Sequence, residues 1–165
     1  MSEPRDAEII IPPNTLKAKL GRGSGGMDPE AIMRAEKAME GLKSEFSDWL
    51  AKDISDLAAA FAAFSNRSDA VTAERLFRAA HDLKGQAATF EFPLIARVAG
   101  SLSKLMDGLK AREAAPLVLV EAHIDAIHVI HRDQIKDNSN LTALTLVEAL
   151  EARVVHALAR AGQKI

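Results

Sequence analysis

The chain has 165 residues, with 21 Lys and Arg against 23 Asp and Glu, so its net charge at pH 7 is only −2. This length predicts one domain, and the evenly mixed charges argue against a dedicated nucleic-acid-binding protein. Cysteine is absent from the sequence, which excludes a disulfide framework and a thiolate metal site. No apolar run is long enough to span a bilayer, and no signal-peptide pattern is present. We therefore expect a soluble, cytoplasmic protein with no membrane partner.

Residues 1–27 are rich in proline and glycine and predict a disordered N-terminal tail. The remaining residues, 28–162, are predicted to form a single helical domain. An N-cap at Asp28 and a proline in the first turn predict a helix start there. The apolar spacing continues to Phe64, and we expect two helices over this stretch with a break near residues 41–44.

Four further segments with helical spacing follow. Thr72 is the predicted N-cap of the first, which is expected to end at Glu91–Phe92, because the residue before Pro93 is pushed away from helical angles. The other three segments begin at Pro93, near Ala115–Pro116 and near Leu141. Helices of about 18 to 22 residues that are joined by short links pack as antiparallel neighbours. The sequence predicts an all-α fold, an up-and-down antiparallel four-helix bundle with additional N- and C-terminal helices, in which the last helix packs within its own chain rather than serving as a dimerisation element.

One histidine, on the first of these segments, is predicted to be exposed to solvent. Five apolar residues spaced four and three apart form a buried helical stripe: Leu76, Ala80, Leu83, Ala87 and Phe90. His81 lies about 140° from the middle of that stripe and therefore points outward. Lys84 and Gly85 follow at i+3 and i+4 and share its helix face. This spacing gives a nucleophile with a charge partner and an open approach.

The alternative interpretation is a solvated helix face that happens to contain His, Lys and Gly. Glycine in an exposed helix interior costs about 1 kcal/mol relative to alanine, so a functional reason for Gly85 is favoured. A neutral imidazole has a free lone pair on one ring nitrogen, and a lysine can neutralise anionic oxygens. The sequence contains no Gly-rich nucleotide loop and no cluster of carboxylates for magnesium, so neither a nucleotide site nor a magnesium site is predicted.

The run Ala80-His81-Asp82-Leu83-Lys84-Gly85, followed by small alanines, resembles the histidine-containing phosphotransfer (HPt) domain of two-component phosphorelays. The similarity covers about residues 46–135. The resemblance implies that His81 is phosphorylated, that Lys84 stabilises the phosphate and that Gly85 is the gap through which a receiver domain approaches.

The same resemblance implies a phosphorelay intermediate, which accepts a phosphoryl group from one aspartyl-phosphate receiver and passes it to another. Its partners would be response-regulator receiver domains or a hybrid histidine kinase, with no nucleic acid and no membrane involved. Such a protein has no kinase activity of its own and no cofactor, because the receiver supplies Mg²⁺.

The chain departs from the family pattern at several positions. Glu91 stands where a second glycine is common, and Gln86 stands where a small residue often follows Gly85. Ser103 and Lys104 occupy the place where some members offer a glutamine or glutamate to the histidine. The departures at Gln86 and Glu91 motivate an alternative function, a helical adaptor that binds receivers or other signalling proteins without being phosphorylated. The residues at 103 and 104 argue against a partner for the imidazole from the next helix.

A partner-binding surface is predicted around the histidine. Phe77 lies one turn before His81 and Ala88 lies beyond Gly85. The predicted apolar patch would be rimmed by Glu74, Arg78 and Lys84. Phe77 is equally well explained as the edge of the core.

A metal site is the remaining candidate. His128 and His131 are three residues apart, and Asp125 lies three before His128. His131 falls on the apolar stripe of its helix, His128 lies at the edge of that stripe, and His123 points elsewhere. Core or helix-end histidines explain this pattern better, so no metal ligand is predicted.

Overall fold

The computed structural model of the protein describes residues 28–162, which form five α-helices and one 3₁₀ turn. The helices are α1 (Pro29–Asn66), α2 (Ala70–Thr89), α3 (Pro93–Asp107), α4 (Leu117–Arg132) and α5 (Leu141–Gly162), with the 3₁₀ turn at Arg112–Ala114. This part of the chain contains no strand, so the predicted all-α fold is confirmed. The predicted N-terminal tail lies outside the described residues.

By its contacts, the chain divides into two units, one ending at Glu40 and the other beginning at Gly41. In the first unit, every described residue is exposed. The Asp28 carboxylate there accepts a hydrogen bond of 3.1 Å from the Glu30 N–H, and the predicted helix start is confirmed. The second unit contains the bundle and the functional site.

The predicted break near residues 41–44 is wrong, because α1 is one helix from Pro29 to Asn66. Gly41 is exposed, and a Cβ there would meet no atom within 4 Å. A single glycine costs about 1 kcal/mol in a helix, which is too little to end one whose flanking residues are good helix formers. The additional N-terminal helix is therefore the first part of α1 and not a separate element.

The core draws large apolar side chains from four of the helices. The largest fully buried ones are Leu50, Leu57, Phe64, Leu76, Leu83, Leu94, Ile95, Leu102, Leu105, Met106, Ile127 and Ile130. Helix α2 makes its most extensive contacts with α3, and α5 packs against α3 and α4. Arg97 of α3 forms a bidentate ion pair with Glu151 of α5, at 3.0 and 2.7 Å. The prediction that the last helix packs within its own chain is thus confirmed.

The N-cap of α2 lies three residues before the predicted one. Asp69 is the N-cap, and its carboxylate accepts a hydrogen bond of 2.9 Å from the Thr72 N–H. The Thr72 hydroxyl accepts one of 3.2 Å from the Asp69 N–H, which completes a capping box. Thr72 as N-cap is therefore wrong, although its hydroxyl does take part in the cap.

The end of α2 contains Glu91, one of the departures from the family pattern. The helix ends at Thr89 rather than at Glu91–Phe92, and the Phe92 N–H bonds the Ala87 carbonyl at 2.9 Å, as in a Schellman motif. Glu91 occupies the left-handed position of this motif with φ 62°. That conformation brings Cβ close to a carbonyl oxygen and costs a residue other than glycine about 1–2 kcal/mol.

Replacing Glu91 with glycine is therefore expected to stabilise the protein. The lost steric strain exceeds the added entropy of the unfolded chain, so the net gain should be about 0.5–1 kcal/mol. The measurement is the urea midpoint of Glu91→Gly against the wild type. Glu121→Gly, at an exposed position inside α4, is the matched control and should lower the midpoint. A lower midpoint for Glu91→Gly as well would contradict the prediction.

Candidate functional site

The His81 side chain stands on the outer face of α2 and is 66 % exposed. Its neighbours Ala80 and Leu83 are fully buried, as are Leu76 and Ala87 of the same stripe, while Phe90 is half-buried. The predicted stripe and the outward direction of His81 are thus confirmed. Packing of one face of α2 into the core fixes the helix and leaves the imidazole in solvent.

The helix face beyond His81 is open. Gly85 lies one turn further along, and a Cβ built on it would meet no atom of residues 28–162 outside its own turn of helix within 4 Å. Its backbone is that of an ordinary α-helix, so no turn or positive φ requires glycine here. Lys84 and Ala88, on the same part of α2, are also exposed. The free space at Gly85 is therefore available to a group from outside the chain.

Phe77 and Arg112 form a platform beside the histidine. The rings of Phe77 and His81 lie 6.1 Å apart between centroids, and the Arg112 guanidinium lies over the Phe77 ring at 3.8 Å. A cation held over an aromatic face is attracted by the electrons of the ring. Phe77 is half-buried, so it belongs both to the edge of the core and to the surface around His81. The sequence pattern did not indicate Arg112, because it lies on the 3₁₀ turn far from α2 in the chain.

The charges at the rim of this platform are paired with one another. The Arg78 Nε donates a hydrogen bond of 2.8 Å to Glu74, and Arg112 forms an ion pair with the same carboxylate. The hydrogen bond from Arg78 lowers the pKa of Glu74, and the charge of Arg112 lowers it further. Arg112 also bonds Asp107 at 3.0 Å. Glu74 is therefore an ionised side chain that anchors the 3₁₀ turn to α2.

The Asp82 carboxylate lies beside His81, and Asp53 of α1 is close enough to Asp82 for their charges to interact. The Asp82 Oδ1 is 3.6 Å from the His81 Nδ1, which is beyond a hydrogen bond but close enough for electrostatic attraction. Asp53 of α1 has a buried Oδ2 with no hydrogen-bond partner among residues 28–162. Burial raises the pKa of Asp53, and the charges of Asp56 and Asp82 raise it further, whereas Lys52 opposes them. The sequence pattern did not indicate Asp53, because only the packing of α1 on α2 brings it near Asp82.

Helix α3 gives the His81 ring no hydrogen-bonding partner within the described part of the chain. The hydroxyl of Ser103 is buried and donates to the Ala99 carbonyl at 2.9 Å. The next residue, Lys104, is exposed. Ser103 and Lys104, at the positions where some family members have a glutamine or glutamate, thus form no hydrogen bond with the imidazole of His81.

The histidines of α4 differ from the prediction at one position. His123, which was expected to point away from the stripe, is fully buried. Its Nδ1–H donates to the Leu119 carbonyl at 2.7 Å, and its Nε2 accepts from the Ser101 hydroxyl at 3.1 Å. A neutral imidazole with both nitrogens bonded is tolerated in a core, which the apolar spacing alone did not reveal. His131 is half-buried against Phe92, and His128 is exposed.

No group of three or more metal-ligating side chains that could hold an ion is found among residues 28–162. His128, His131 and Asp125 therefore do not form such a group. Elemental analysis of the purified protein is the direct test of the prediction that it binds no metal.

The buried histidines are expected to make stability depend on pH. Burial lowers the pKa of His123 and of His131 below the ordinary value of 6.5. Near that pH these histidines therefore bind more protons in the unfolded chain than in the folded chain. The free energy of unfolding should therefore fall as the pH drops through about 6.5. Unfolding in urea at pH 7.5 and 5.5 measures this, in a range above the ordinary pKa values of Asp and Glu side chains.

His123→Gln is the variant that isolates the contribution of the fully buried histidine to this pH dependence. It should be less stable than the wild type at pH 7.5, but should lose less stability between pH 7.5 and 5.5. An unchanged loss in His123→Gln, or a wild type that is equally stable at both pH values, would contradict the assignment.

The model of one protein family, the Hpt domain, matches residues 41–152, which is more than half of the chain. The chain belongs to this family. The match extends beyond the predicted HPt-like region at both ends and includes part of α5. No curated protein and no solved structure matches the chain significantly.

Membership of the Hpt family gives the site its chemical context. An Hpt domain carries phosphoryl groups on histidine in two-component systems, and its partners are receiver domains and histidine kinases. In residues 28–162 of this Hpt domain, none of the helices is both long and apolar enough to cross a membrane.

Proposed function

We propose that this Hpt domain is a phosphorelay intermediate, which accepts a phosphoryl group on His81 from an aspartyl-phosphate receiver and passes it to another receiver. The observation that carries the proposal is the exposed imidazole of His81 beside the free space at Gly85. An imidazole that must reach the phosphorus of a second protein needs both features.

The proposed step needs little chemistry from this chain. The free lone pair of His81 attacks phosphorus in line, a nitrogen–phosphorus bond forms, and the bond from phosphorus to the aspartyl oxygen breaks. The aspartate leaves as a carboxylate, and the reverse step transfers the group to the next receiver. Asp82, 3.6 Å from Nδ1, favours a proton on that nitrogen and leaves the lone pair on Nε2.

The chain is proposed to act as a carrier without kinase activity and without a cofactor of its own, in the cytoplasm. Mg²⁺ and the catalytic groups belong to the receiver in this scheme. The receiver would dock on the surface formed by Phe77, Arg112, Gly85 and Ala88, with Arg78 at its rim. Phe77 supplies apolar area, and Arg112 holds its ring in place.

Incubation with a phosphorylated receiver domain tests the proposal. The expected product is an Hpt protein with an acid-labile, alkali-stable phosphate, which mass spectrometry maps to His81. A second, unphosphorylated receiver should then remove the label. Stable binding of the receiver without any transfer of phosphate would instead establish the alternative function, an adaptor.

Lys84→Ala is expected to slow phosphorylation of His81 without abolishing it. A dianionic phosphoryl group on His81 and the Lys84 ammonium would share one exposed helix face, where high dielectric limits the effect to about tenfold in rate. Transfer rates at short times measure it. Lys43→Ala, at an exposed lysine of α1, is the control and should transfer at the wild-type rate. Equal rates for both variants would exclude this role of Lys84.

A further inference from the structure

We infer that Gly100 of α3 is a positioning residue for Lys84. Its missing side chain leaves a groove in which the Lys84 stem lies, so that the ammonium is held on the face of His81. The inference rests on the proposed function, because it gives Gly100 a role through the phosphate-stabilising lysine.

The contacts at Gly100 are those of one side chain. A Cβ built on Gly100 would lie 3.3 Å from the Lys84 Cδ, 3.5 Å from its Cε and 3.7 Å from its Cγ. These three successive carbons are the nearest atoms to that position. Gly100 itself is half-buried inside α3 and has no positive φ. Neither a turn nor backbone strain explains a glycine here.

The other glycines of the described chain have different surroundings. Added Cβ atoms at Gly41, Gly85 and Gly162 would meet nothing within 4 Å, and one at Gly108 would meet Leu158 and a backbone oxygen. Among these glycines, Gly100 is the one at which an added Cβ would contact a side chain of the proposed site, that of Lys84. Gly85 and Gly100 thus have separate roles, since Gly85 admits the partner and Gly100 accommodates the lysine.

A lysine stem laid along a groove keeps its head in water while its methylenes are partly covered. The close packing of α2 on α3 brings Gly100 to Lys84. A stem in one conformation has less rotational freedom to lose when a phosphoryl group arrives. The ammonium therefore meets the phosphoryl oxygens without a search through many rotamers.

Gly100→Leu would fill the groove and displace the stem, and Gly100→Ala would move it only slightly. We expect phosphorylation to slow by about three- to tenfold in Gly100→Leu and by less in Gly100→Ala. The effect of Gly100→Leu should not exceed that of Lys84→Ala, about tenfold, because it acts through the same ammonium. Leucine and alanine are both better helix formers than glycine, so both variants should fold. Circular dichroism verifies this.

A double-mutant cycle with Lys84→Ala separates this role from a structural one. If Gly100 acts through Lys84, Gly100→Leu should have no further effect on the transfer rate in the Lys84→Ala background. A reduction by the same factor in both backgrounds would overturn the inference. Gly41→Leu, at an exposed glycine of α1 with free surroundings, is the control and should not alter the rate in either background.

An NMR measurement on the unphosphorylated protein tests the placement without any transfer. Nuclear Overhauser contacts are expected between the Gly100 Hα protons and the Lys84 Hδ and Hε protons, and they should be lost in Gly100→Leu. Their absence in the wild type would overturn the inference. Their presence in a wild type that accepts no phosphate would support the placement of Lys84 and overturn the proposed function.

Discussion

His81→Gln is expected to abolish phosphorylation of the protein. Glutamine has a similar length but lacks a ring nitrogen with a free lone pair, so no phosphoramidate can form. Because the His81 side chain is 66 % exposed, its replacement should leave stability nearly unchanged. The measurement is the amount of acid-labile phosphate on the protein after incubation with a phosphorylated receiver.

The control for this variant is His128→Gln, since His128 is an exposed histidine on α4. It should be labelled as fast as the wild type. Receiver binding by His81→Gln should persist, because the imidazole is a small part of the docking surface. Labelling of His81→Gln at the wild-type level would show that His81 is not the phosphorylated residue.

The helices were predictable where their signals are local. The spacing of Leu76, Ala80 and Leu83 defines one face of α2 without reference to any other part of the chain. Pro93 marks the start of α3, because its ring restricts the backbone conformation of the residue before it. These local predictions hold in the folded protein, because the helices pack through the apolar stripes that the sequence spacing defines.

The errors in the helix boundaries have a common cause. Asp69 and Thr72 are both good capping residues, and the choice between them depends on a reciprocal pair of hydrogen bonds. Glutamate rarely adopts a left-handed conformation, so the residue type at position 91 did not predict the Schellman motif that Glu91 completes. At Gly41, a weak helix former is outweighed by its neighbours.

The candidate site was predictable only where it lies on one helix. His81, Lys84 and Gly85 share a face of α2, and their spacing of three and four shows this directly. Asp53, Gly100 and Arg112 come from α1, α3 and the 3₁₀ turn. Their proximity to the site depends on how the helices pack, about which the spacing of residues along one helix carries no information.

Gly85→Gln is expected to block phosphoryl transfer more severely than Lys84→Ala while making the protein slightly more stable. A glutamine side chain would fill the open space one turn from His81 and keep the receiver from its in-line position. A displacement of about 1 Å costs about a hundredfold in a reaction that depends on positioning. Helix propensity, by contrast, improves by roughly 0.5–1 kcal/mol. Transfer rates and thermal unfolding of the same preparations measure the two effects.

Gly41→Gln is the matched control for Gly85→Gln. Both glycines are exposed within helices, and an added Cβ meets no atom within 4 Å at either position. The gain in thermal stability should therefore be similar in the two variants, because it depends on helix propensity alone. Only Gly85→Gln should lose transfer, since Gly85 lies one turn from the nucleophile. Transfer at the wild-type rate by Gly85→Gln would show that a receiver does not need this space, and the docking surface around His81 would have to lie on the other side of the imidazole.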